Sequence, residues 1–140
     1  MDKYKYFEHT VDVIFESYGF KIETAIENAA QAMFDVMADN HQLTDEESVE
    51  IEEVGETLED LVVNVLNDLL AEADSRELFF KHFKVTSFKQ SPSGYELKGV
   101  AHGCEMKPEL GGTVVKAVTY HEGKVEKKGH IWTIHILLDI

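Results

Sequence analysis

Two apolar periods alternate along the chain. Residues 4–9 (YKYFEH) and 11–15 (VDVIF) are rich in aromatic and β-branched side chains and predict two short strands. Tyr18-Gly19-Phe20 punctuates them as a turn or bulge. The period then becomes helical. Ile26, Ala29, Ala30, Met33, Phe34 and Met37 share one face, and Thr24 with Glu27 has the T-x-x-E form of a capping box. This helix is expected to end near Asp39-Asn40, with Met33 and Met37 as core filler. Ser48 to Val54 alternates as an exposed, charge-protected edge strand. Gly55 breaks it, and Thr57 caps a second helix, with Asp60 near its positive end. Its stripe runs through Leu58, Leu61, Val62, Val65, Leu66, Leu69, Leu70 and Ala73, and predicts the main core helix.

Beyond Arg76 the pattern is that of strands. Leu78 to Phe88 and Tyr95 to Ala101 flank a QSPSG turn at 90–94. Residues 102–112, with Gly103, Pro108, Gly111 and Gly112, predict a loop. Val114 to Tyr120 predicts a strand, Glu122-Gly123 a turn into Lys124 to Lys127, and His130 to Ile140 the last strand. The order strands, helix, strand, helix, strands predicts an α+β fold. It is a single compact domain over residues 1–140, with two main amphipathic helices packed on a mostly antiparallel or mixed β-sheet.

Composition narrows the class. A chain of 140 residues is one domain by default, and one of that size buries roughly 68% of its unfolded surface, enough for a core without staples. Cys104 is the single cysteine, so no internal disulfide forms. With no signal peptide and no apolar run near the ~20 residues of a membrane span, a cytoplasmic protein off the membrane is expected.

The net charge of −14 is uneven. Residues 1–75 hold 20 acids against Lys3, Lys5 and Lys21, whereas residues 76–140 hold ten bases and seven acids. The acidic half repels phosphate, so the direct partner is expected to be a protein and strong nucleic-acid binding is not expected. The alternative is that the charge serves solubility alone. Nine acids fall between Asp45 and Asp60, but without the D-x-D-x-D-G spacing of an EF-hand.

Candidate chemistry gathers at the two ends of the chain. Asp12 interrupts an apolar strand, where an aspartate is disfavoured. It is either a solvated strand end or a carboxylate held rigidly for a metal or a proton. Asp139 stands beside the α-carboxylate of Ile140, and two carboxylates that close repel unless a cation lies between them. With Asp12 they would make three oxygen donors suited to a hard cation such as Ca²⁺ or Mg²⁺. Spacing alone does not bring Asp12 to Asp139, and the alternative is a terminus that frays in solvent. Lys116 lies within an apolar run, either snorkelling over apolar surface or placing a positive charge near carboxylates or a phosphate. His121 is a candidate base or ligand, although the seven histidines show no zinc spacing and Cys104 has no mark of a nucleophile. Neither G-x-x-x-x-G-K-[ST] nor G-x-G-x-x-G occurs, which argues against a nucleotide-using enzyme acting alone.

These residues also resemble a known family. HTVDV at 9–13, IENAAQAMFDVMAD at 26–39, LEDLVVNVLNDLLAEAD at 58–74, VKAVTYHEGKVEK at 115–127 and the closing LLDI are similar, in this order, to segments of archeases. The resemblance implies a non-catalytic cofactor protein of the GTP-dependent, manganese-using RNA ligase that joins tRNA halves. Such a protein speeds guanylylation of the ligase's histidine, restores multiple turnover and broadens the nucleotide accepted. The residues implicated map onto Asp12, Lys116 and Asp139. A calcium-type site would use Asp12, Asp139 and the terminal carboxylate of Ile140, with Mg²⁺ or Mn²⁺ as alternatives. A modulator or chaperone of a tRNA methyltransferase is the alternative function. From the residues alone, a pure interaction protein and a small metal-dependent hydrolase stand beside these, the latter without a nucleophile–base set.

Overall fold

The computed structural model describes residues 1–7 and 12–140, with residues 120–123 by their backbone alone. In chain order the elements are β1 (Tyr4–Phe7), β2 (Asp12–Gly19), α1 (Ile22–Met37), β3 (Glu47–Gly55), α2 (Leu58–Arg76), β4 (Leu78–Ser91), β5 (Gly94–Glu105), β6 (Ala117–Lys128) and β7 (Ile131–Asp139). The strands form two sheets, in the orders β1-β2-β7-β6 and β3-β5-β4. Every pairing within them is antiparallel. The helices are where the sequence places them, but they face two sheets rather than one. The cause lies in their circumference. α1 buries Ile22, Ala25, Ile26, Ala29, Ala30, Ala32, Met33 and Phe34, an arc too wide for one sheet to cover, and its alanines let backbones approach closely. Accordingly α1 packs on β2 and β7 of one sheet and β4 of the other, and α2 packs on β3, β4 and β5 as well as β6. Phe15, Met33, Leu66, Leu97 and Ile136 meet in one continuous core between the layers. Each such side chain contributes roughly 1.5–3 kcal/mol on leaving water.

The two helix starts differ in a telling way. At α2 the Thr57 hydroxyl accepts from the Asp60 N–H at 3.1 Å, as expected of a cap. At α1 the capping box is not used. The helix starts earlier, after Lys21, with no side-chain cap. Glu27 instead accepts the Val85 N–H at 2.8 Å, with Lys84 Nζ 3.7 Å away. An irregularity in β4 between Val85 and Ser87 breaks the ladder there, and a freed backbone donor needs an acceptor. Tertiary demand thus takes the glutamate from the local motif.

The loop expected at 102–112 also moves. β5 continues to Glu105, and the connection to β6 spans residues 106–116. Gly103 breaks nothing. A Cβ there would lie 2.0 Å from the Phe79 carbonyl oxygen, so glycine is what lets β4 and β5 pair this closely. The strand expected from Val114 begins only at Ala117, leaving Val114 77% exposed and Lys116 outside the sheet. β6 then runs to Lys128, with its register to β7 shifted between Thr119 and Lys124.

β3 is an edge strand, as its charge suggested, with Val49 and Ile51 buried. Glu53 points the same way and meets Asp68 of α2. Burial, then its hydrogen bond to Asp68 and the Asp68 charge, raise its carboxyl to about 7. The fold therefore holds a proton that the unfolded chain releases near 4.5. The sign follows: stability falls as pH rises from there to about 7, then levels off. Glu53→Gln is expected to raise the urea midpoint at pH 8 and to change it little at pH 4.5, which paired denaturation curves would check.

His82 faces His102 across β4 and β5, their ring centroids 4.9 Å apart. Burial and the neighbouring His102 lower the His82 pKa, against the raising influence of Asp45, with Lys81 lowering it further. The neutral ring is the one that fits, so this contribution is present above 6.5 and is lost as pH falls below it. NMR titration should find His82 protonating below an exposed histidine, and His102→Ala should move that midpoint upward.

Candidate functional site

The register of β2 against β7 places Asp12 directly opposite Asp139. The register of β6 against β7 places Ala117 on the other side of Asp139, and the Lys116 N–H donates to the Asp139 carbonyl at 2.7 Å. Residues distant in sequence thus meet at one end of the four-stranded sheet. Alternation sets their direction. Phe15 and Leu138 are buried in the core, and Val13 packs against it. Asp12 and Asp139 therefore both leave the outer face. Directly opposed residues have Cβ atoms about 4.5–5.5 Å apart, so two acids are held side by side, an arrangement that like charges oppose.

Ile140 follows the paired strand end and packs against the main core. Its side chain is thus held against the core at the end of the paired strand. Lys116 also lines a groove beside α2, with Leu70 and Val114. The expected trio is thus joined through backbone and sheet register, with the two carboxylates on the outer face and Lys116 beside a groove. His9, Thr10 and Val11 lie outside the described residues, as does the side chain of His121.

The donor set suits a hard cation, because carboxylate oxygens bind Ca²⁺ and Mg²⁺ and exclude softer preferences. Among the described residues, no three His, Cys, Asp or Glu side chains converge on one point. Two facing acids fall short of such a cluster, although small hard cations are commonly held by one or two carboxylates with phosphate oxygens completing the shell. Cys104 is buried in a satellite cluster with Ala38, Leu43 and Leu110, a packing role. A side-chain contact that sequence reading missed lies on the same outer face. His135 Nδ1 is 3.0 Å from Glu16, opposite it in register, while Phe7 stacks on the His135 ring at 5.8 Å. Only the strand register reveals this cluster.

The model of the Archease protein family (MTH1598/TM1083) matches residues 4–140. The chain belongs to the archease family. It is 37% identical over 142 residues to the archease of Sulfolobus acidocaldarius, covering all of both chains. It is 38% identical over 129 residues to that of Pyrococcus abyssi, covering 91% of this chain and 90% of the relative. The solution structure of Methanobacterium thermoautotrophicum protein 1598 superposes with a TM-score of 0.85 at 30% identity, with both chains fully covered. A crystal structure from Thermotoga maritima, described as an archease and possible chaperone, shares the fold at a TM-score of 0.62 and 23% identity. The match covers 97% of this chain and 96% of the other. This archease has no helix among its described residues long and apolar enough to cross a membrane.

Proposed function

We propose that this archease is a non-catalytic activator of the GTP-dependent tRNA-splicing RNA ligase. It promotes guanylylation of the ligase's histidine and multiple turnover, and it widens the range of nucleotides accepted. The observation that carries the reading is the facing pair Asp12 and Asp139 at an open sheet end, with Lys116 bonded alongside. Their register sets two carboxylates side by side at a strand end, where a cation or a basic group of a partner could meet both. The acidic charge of residues 1–75 favours a protein over an RNA as the surface that is met.

Asp12, Asp139 and the α-carboxylate of Ile140 would hold a divalent cation, Ca²⁺ first, with Mg²⁺ or Mn²⁺ as alternatives. Such an ion supplies neutralisation of phosphate charge. The chain's own part is to present the carboxylates on a rigid strand pair and to bring a lysine within reach of the same partner. The chemistry stays on the ligase.

The test is RNA ligation with limiting cognate ligase, with and without this protein, then with Asp12→Ala. Many ligations per ligase with the wild-type chain, and loss of that stimulation in the variant, is the expected result. No stimulation by the wild-type chain would end the reading. The alternative reading is a chaperone or modulator of a tRNA methyltransferase. On that reading Asp12→Ala leaves the effect on its partner intact.

A further inference from the structure

The groove that Lys116 lines has a volume of about 690 Å³ and lies between the C-terminal half of α2 and the 106–116 connection. That is within the ~300–1,000 Å³ typical of ligand clefts. Leu70, Phe79 and Met106 give it an apolar lining, and Val114 stands at its mouth. Thioether and aromatic walls adapt to bulky apolar guests. Among the described residues lining it, Lys116 is the one base and Asp74 the one acid.

Asp74 is out of place for the helix. It sits in the last turn of α2, where the carbonyl ends favour a cation and disfavour an acid. The nearby Arg76 is engaged by Glu72, through a 2.5 Å contact between Nε and the carboxylate. The connection itself is well secured, because the Gly112 and Thr113 N–H groups donate to the carbonyls of Met37 and Val36 at 2.8 and 2.9 Å. The far wall is therefore fixed while its apolar tip, Val114, projects into solvent.

We propose that this groove docks a segment of the same protein partner that the carboxylate pair engages. The segment presents a bulky apolar side chain with a lysine or arginine beside it. The apolar side chain fills the space under Val114, and the base meets Asp74. Continuity supports the location, because Lys116 lines the groove and its backbone N–H is bonded to Asp139 at the carboxylate end. A partner at the carboxylate end therefore has the groove next to it. The surface thus divides labour: the groove supplies affinity, and the acids supply the effect.

This inference rests on the ligase reading, so its test separates the two. Equilibrium binding of the full-length chain to the ligase is measured directly by anisotropy of a fluorophore on the ligase, and stimulation of ligation is titrated in parallel. Val114→Glu places a charge at an exposed position, and Asp74→Lys improves the helix terminus, so both variants should fold. Each is expected to weaken binding about tenfold, the scale of one well-placed interface side chain, and to leave the plateau of stimulation at saturating protein unchanged. Asp12→Ala should do the reverse. Val114→Glu binding within twofold of wild type overturns the docking inference and leaves the ligase reading standing. A lowered plateau at unchanged affinity overturns it too, as does a wild-type dimer that Val114→Glu dissolves. If the wild-type chain binds no ligase, both fall.

Discussion

Asp139→Asn is expected to abolish stimulation of the ligase while leaving the protein at least as stable as before. The two halves of this expectation have different origins. Asp139 is exposed and paired on both sides through its backbone, to Asp12 in β2 and to Ala117 in β6. Asparagine keeps the backbone bonds and nearly the same shape. It removes one of two like charges held opposite each other, a change worth about 0.2–1 kcal/mol in favour of the fold. For a domain of this size that is a rise of a few degrees in Tm at most. The charge is nonetheless what a cation or the partner would meet, so stimulation should fall to the level without the protein. Thermal unfolding and ligation at limiting ligase on the same preparation decide the matter. Full stimulation would remove Asp139 from the site. A large drop in Tm with the loss of stimulation would make its role structural.

How far the sequence reveals this arrangement depends on which forces act locally. The α2 stripe and the Thr57 cap can be read because helix period and cap chemistry are short-range, and both are present as expected. The Asp12–Asp139 pair is legible only in outline. Each residue stands out in its own strand, but their meeting depends on β2 lying next to β7, a partnership across the whole length of the chain. Glu27 shows the opposite failure. Its spacing from Thr24 satisfies a local rule, yet a backbone donor of β4, far along the chain, captures it. Lys116 fails for a third reason. Apolar neighbours gave it the pattern of a strand, but the structure uses Val115 in the core and Val114 at the surface of a connection. An apolar run does not say whether its residues face one layer or several.

Gly103→Ala should be among the most damaging glycine-to-alanine substitutions at the described residues, although the sequence presents Gly103 as a loop residue. β5 is the central strand of its sheet, so neither side of it can move away. An added Cβ would lie 2.0 Å from the Phe79 carbonyl oxygen and 2.7 Å from the Phe80 Cα, both backbone atoms that no rotamer change can displace. The strands must part, and the ladder that leads from Phe80 past the irregularity to His82 must part with them. Overpacking of this kind typically costs about 1–3 kcal/mol and more where backbone has to shift, so a loss of at least about 3 kcal/mol is expected. In thermal unfolding that is a drop of roughly 10 °C. Gly111→Ala is the control, because its Cβ would meet only ordinary contacts, at 3.4 Å to the Pro108 carbonyl oxygen and 3.5 Å to the Phe79 ring. If both variants unfold at the parental temperature, the close approach of β4 and β5 is not what selects glycine. If Gly103→Ala alone falls, a residue that sequence pattern assigns to a loop is what lets the central strand of the three-stranded sheet form.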